Sequence, residues 1–130
     1  MANAVAEGAK SSRMSDVELT FHVDAEKLTE FDAIILGAPT YHHDMPIDMK
    51  KLFETSANKG INLKGKVGAA FGSYGWSGEA PKLLLEIMKN KFEMNVTTPP
   101  LLAKYVPDKA MLDKCRTFGR NISETLIRQV

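Results

Sequence analysis

The sequence predicts an α/β domain built on a parallel β-sheet, and three observations carry that expectation. Two runs, "AIILG" at 33–37 and "KVGAAFG" at 66–72, are, Lys66 apart, apolar or small without alternation, as strands covered on both faces are. After each comes a stretch with apolar residues at steps of three and four, the period of a helix lying on a sheet. The connections between them are short, so strand and helix alternate as right-handed crossovers require.

In chain order, "MANAVAEGAKSS" puts Met1 and Val5 on one face with Gly8 near the end, and reads as the tail of a helix. "VELTFHV" (17–23) alternates apolar and polar residues, which predicts a strand with one covered face. "FDAIILGAP" holds the first buried strand, bounded by Asp32 and Pro39. In "HDMPIDMKKLFETSANKG", Met45, Met49, Leu52, Phe53 and Ser56 share a helical face, Pro46 fits the first turn and Asn58 to Gly60 end it. The second buried strand is made mostly of small residues, which let the layers approach closely. In "SGEAPKLLLEIMKNKF" the stripe is Ala80, Leu83, Leu84, Ile87 and Met88, with Ser77 or Gly78 near the cap. "EMNVTTPPLLAKYVPD" predicts an edge or bent strand, interrupted by Pro99 and Pro100 and then resumed, since proline cannot donate to a ladder. A long C-terminal helix follows, with Leu112, Cys115, Gly119, Ile122 and Leu126 on its apolar side and Asp108 as cap.

Composition excludes several function classes. With 130 residues, one domain spanning 1–130 is expected. Seventeen Lys plus Arg against sixteen Asp plus Glu, interspersed, leave a formal charge of +1, which disfavours a nucleic-acid partner. A single cysteine forms no intramolecular disulfide, and Cys115 reads as core, so a cytoplasmic protein is expected. No run approaches the roughly 18 apolar residues of a membrane span. His42 and His43 are adjacent in a loop, a spacing poorly suited to one metal ion, and no G-x-S-x-G elbow surrounds Ser73 or Ser77.

In parallel sheets ligands collect at the carboxyl ends of the strands. Both "APTYHHDMP" and "SYGWSGE" begin where a buried strand stops. If the two strands are neighbours, Tyr41, Tyr74 and Trp76 surround one crevice, with the hydroxyls of Thr40, Ser73 and Ser77 and the amides of Gly75 and Gly78. Aromatic faces beside unobstructed backbone N–H groups suit a flat heterocycle with polar edges, such as a flavin.

"FDAIILGAPTYHHDMP", "LKGKVGAAFGSYGWSGEA" and "KYVPDKAMLDKCRTFGRNISE" resemble the flavodoxin-type FMN domain of the A-type flavoproteins, also called flavodiiron proteins, over most of the chain. The resemblance implies a flavodoxin-like three-layer αβα sandwich with a parallel sheet. It also implies FMN as cofactor, with Pro39, Thr40, Tyr41 and His42 in one loop over the ring and Ser73, Tyr74, Gly75, Trp76 and Gly78 in the other. Redox partner proteins come with that implication. Such domains open with a strand and a Ser/Thr- and Gly-rich phosphate loop ahead of the first helix. Neither stands before "MANAVAEGAKSS", so a sandwich lacking the first strand and phosphate-binding loop is expected, with FMN binding weakened or lost and exposed sheet edges that drive homo-oligomer formation. Ala38 stands where the family often has serine, and His42 and His43 where many flavodoxins have a glycine that responds to flavin reduction. The diiron pattern H-x-E-x-D-H does not occur. Two alternatives to an electron-transfer module remain: a scaffold or assembly subunit of the same fold that has lost FMN, and a flavin-dependent quinone- or azo-type reductase.

Overall fold

The structure, a computed structural model, describes residues 1–11, 16–40, 44–75 and 78–129. Four strands, β1 (Ala33–Gly37), β2 (Val67–Tyr74), β3 (Asn95–Val96) and β4 (Leu101–Lys104), form one sheet. Four helices, α1 (Ala2–Lys10), α2 (Ile47–Asn58), α3 (Glu79–Asn90) and α4 (Lys109–Gln129), flank it, and a 3₁₀ segment covers Ala25–Glu30.

Every strand pairing is parallel, and β2 is central. On one side Ala33 pairs with Val67 and Gly37 with Phe71. On the other, β3 meets Val67 and Gly68 while β4 meets Phe71 to Tyr74, so the stretch interrupted by Pro99 and Pro100 serves β2 in two pieces. The Thr98–Pro99 bond is cis.

The unbroken apolar runs become intelligible once the layers are placed. Ile34, Leu36 and Ala70 pack with Phe53 of α2, Leu84 and Met88 of α3, and Leu28 of the 3₁₀ segment. Phe71 joins Val5 and Cys115 on the opposite face, and Val67 and Ala69 join Ile122. The β2 positions on the α3 side are Gly68, Ala70 and Gly72, and α3 sits close because of it: a β-carbon on Gly68 would stand 3.2 Å from the Met88 methyl. On the far layer, Gly8 lies against the Arg116 backbone and Gly119 against the Val5 carbonyl, so α1 and α4 cross with their main chains touching. The buried Ser123 hydroxyl donates to the Ala9 carbonyl oxygen, 2.9 Å away, across the same crossing.

The helix ends follow local chemistry. Asp108 accepts from the Met111 N–H through Oδ1 at 2.8 Å, the cap expected of it. After α2 the chain turns at Gly60, whose φ of +65° is left-handed.

One predicted strand is not formed. Residues 17–23 carry no strand, Phe21 is fully exposed and Leu19 half-exposed. Alternation marks a chain that could bury one face, but a strand also needs a hydrogen-bonded neighbour, and among the described residues β1 pairs only with β2. Between segment 16–23 and the open edge of β1 runs a cleft of about 1620 Å³, walled by residues including Val5, Val23, Ile35, Leu52 and Ile122.

Candidate functional site

β1 and β2 are adjacent and parallel, so the loops that follow them leave from the same end of the sheet. The ladder continues past the strand: the Ala38 N–H donates to the Phe71 carbonyl oxygen at 3.0 Å and the Thr40 N–H to that of Ser73 at 3.4 Å. Pro39 and Thr40 are therefore held beside Ser73 and Tyr74, and all four are partly buried. Gly75 is exposed, and Gly78 caps α3 from the same end. Six predicted site residues are thus together: Pro39, Thr40, Ser73, Tyr74, Gly75 and Gly78. Tyr41, His42 and Trp76, with His43 and Ser77, lie outside the described residues.

Thr40 does more than line the loop. Gly78 offers no side-chain cap to α3, and the Ala80 N–H donates instead to Thr40 Oγ1 at 3.1 Å. One of the orphan donors of the first helical turn is thereby satisfied from a loop 40 residues away in sequence. With its oxygen accepting from Ala80, the hydroxyl keeps its own proton to donate elsewhere.

At the other end of the first loop, Asp44 lies 2.5 Å from Lys50 Nζ and accepts from the Met45 N–H at 2.8 Å. The Lys50 ammonium, followed by the Met45 N–H, holds the Asp44 carboxyl below the usual range. Its charge is answered locally by Lys50. Gly78 is crowded, since a β-carbon there would stand 3.1 Å from Leu102 Cδ1 and 3.5 Å from Tyr74 Cδ1. A glycine wedged between a leucine and a tyrosine ring lets backbone approach a ligand where a side chain would fill the seat.

The donor set fits a flavin: a tyrosine ring, hydroxyls and glycine backbone, with no group of three His, Cys, Asp or Glu among the described residues that could hold a metal ion. Tyr105 follows β4 at this same end and was not singled out by the sequence pattern. Its N–H donates to the Tyr74 carbonyl oxygen at 2.6 Å, and its ring lies over Gly75. The signal that could have found it is the aromatic residue just past a predicted strand end. The large cleft lies elsewhere, along the edge of β1.

A doubly wound parallel sheet with two glycine- and hydroxyl-bearing loops at its carboxyl end defines a flavodoxin-fold protein. The chain belongs to the flavodoxin family, whose pattern matches residues 1–119. It is similar to the type A flavoprotein fprA of Rhodobacter capsulatus, 37% identical over 97% of this chain and 30% of that protein. A nitric oxide reductase of Moorella thermoacetica is 33% identical over 75% of this chain and 24% of its own length. The chain thus spans less than a third of the length of these curated relatives. Among solved structures, a flavodoxin from the domain Archaea superposes with a TM-score of 0.86 at 36% identity, covering 96% of this chain and 87% of that one. The flavodiiron protein of Giardia intestinalis, at 21% identity, shares the fold with a TM-score of 0.84 over 98% of this chain and 32% of its own. Among the described residues, no helix is long and apolar enough to cross a membrane.

Proposed function

We propose that the chain is an FMN-binding electron-transfer module acting in the cytoplasm within a larger redox system, exchanging electrons with redox partner proteins. The observation that carries this reading is the tie between the two strand-end loops and α3: Thr40 bonds Ser73 through its N–H and Ala80 through its hydroxyl. That tie pre-organises the seat without filling it.

FMN, when bound, would supply the electron acceptor and donor. Tyr74, Tyr41 and Trp76 would flank its ring, and Gly75 and Gly78 would bring backbone to its polar edge. Pro39, Thr40, His42 and Ser73 would complete the two loops. Among the described residues no strand pairs with the outer edge of β1, and that edge, with the exposed Leu19 and Phe21 beside it, favours association with a second copy.

The experiment is a visible spectrum of the purified chain followed by titration with FMN. Flavin absorbance with quenched fluorescence supports the module. A colourless protein that leaves FMN fluorescence unchanged at high concentration supports the scaffold alternative, and steady turnover of a nicotinamide cofactor with a quinone supports the reductase.

A further inference from the structure

Tyr105 combines three features that packing alone does not account for. Its φ is +58°, in the left-handed region that an aromatic side chain enters only at a cost, because its Cβ crowds the neighbouring carbonyl. It is 66% exposed, although it stands at the meeting point of β2, β4 and the turn at Gly75. Its ring edge is 3.6 Å from the place where a β-carbon on Gly75 would stand, so the ring lies directly above the glycine turn. The 2.6 Å hydrogen bond from its N–H to the Tyr74 carbonyl oxygen holds the backbone in this unfavourable state. The Lys104 ammonium stands 5.5 Å from the ring centroid, close enough for a cation–π contact that helps to hold the ring.

A turn that needs a left-handed residue is served at lower cost by glycine or asparagine. Retaining tyrosine there places an open aromatic face beside Gly75, on the side of the site opposite the β1 loop. We propose that Tyr105 is a ligand-contacting residue of the strand-end site, supplying an aromatic wall for the flavin ring from β4. This inference rests on the FMN reading above.

The test compares the wild-type chain with Tyr105→Gly and Tyr105→Phe, reading FMN affinity by fluorescence titration and the melting temperature of the flavin-free protein. Tyr105→Gly removes the ring and relieves the backbone, so the two readouts should move apart: a melting temperature unchanged or raised, and FMN bound about three- to tenfold more weakly, the range expected for one lost aromatic contact. Tyr105→Phe keeps the ring and should restore wild-type affinity. Equal FMN affinity in all three proteins overturns the inference while leaving the FMN reading intact. A wild-type chain that binds no FMN overturns both.

Discussion

The carbonyl oxygen of Ala38 lies against Gly72, on the spot a β-carbon of residue 72 would occupy, and Pro81 Cγ stands 2.9 Å from the same spot. The end of β1, the end of β2 and the start of α3 therefore meet at a point with no room for a side chain. Two of the obstructing groups are backbone or ring atoms, which cannot rotate away. Gly72→Ala is expected to destabilise the chain by about 3 kcal/mol, at the upper end of ordinary overpacking, and to weaken FMN binding by spreading the two loops. Urea unfolding monitored by circular dichroism reads the first effect, and FMN titration in the absence of denaturant the second.

Thr40 predicts a subtler pattern. Thr40→Val keeps the shape but removes the acceptor for the Ala80 N–H, a lost cap worth about 1 kcal/mol and a melting temperature lower by roughly 4 °C. Thr40→Ser keeps the oxygen and should recover most of that stability. A valine variant that melts with the wild type would show that solvent satisfies Ala80 equally well.

How much of this was legible in the sequence depends on the range over which each feature is encoded. The strands at 33–37 and 67–74 and the stripes of α2, α3 and α4 are written in local patterns, because a covered strand must be apolar throughout and a helix on a sheet must repeat its apolar residues. Segment 17–23 shows the limit: alternation marks Val17, Leu19, Phe21 and Val23 as one face, yet whether a neighbour pairs with them is decided elsewhere in the chain. The 3₁₀ segment at Ala25–Glu30 is short enough to leave no periodicity. Placing Thr40 among the ligand loops followed from its position after β1. That its oxygen serves α3 could not, because the donor is 40 residues away. Tyr105 was hidden for a related reason: nothing in "KYVPD" signals that the tyrosine adopts a left-handed backbone over Gly75.

Cys115 gives a pH dependence with a definite sign. The residue has no exposed surface, and burial pushes its thiol above the ordinary value of 9.0. As pH climbs past 9.0, the unfolded chain loses this proton first and the folded chain retains it. The folded state then binds more protons, so the stabilising contribution is full below 9.0 and declines as pH rises above it, by up to about 1.4 kcal/mol per pH unit. Denaturant melts between neutral pH and pH 10 should show this decline in the wild type and less of it in Cys115→Ala. A thiol reagent should modify Cys115 only at the rate of unfolding.

If ring contacts carry the affinity, the phosphate of FMN should matter little. Riboflavin and FMN are then expected to bind within about threefold of each other, and the FMN affinity to change only slightly with salt. A preference for FMN of a hundredfold or more would locate a phosphate seat within residues 1–130 and overturn the premise that ring contacts carry the affinity.

The bare edge of β1 leads to the last prediction. Three residues of β1, Ala33, Ile35 and Gly37, turn backbone groups to the outer edge that, among the described residues, no neighbouring strand answers, and they border a cleft of about 1620 Å³. Unpaired edges of this kind recruit other strands, and Leu19 and Phe21, on the opposite rim, add apolar surface that a second copy would cover. Sedimentation should therefore show reversible, concentration-dependent dimers at low micromolar protein. Because Phe21 is fully exposed and Leu19 half-exposed, Leu19→Lys with Phe21→Lys should leave the melting temperature of the monomer little changed while shifting dimer formation to concentrations at least about tenfold higher, a loss of roughly 1.4 kcal/mol in association. A wild-type chain that sediments as a single monomer across that range would mean that the cleft walls are stable without a partner.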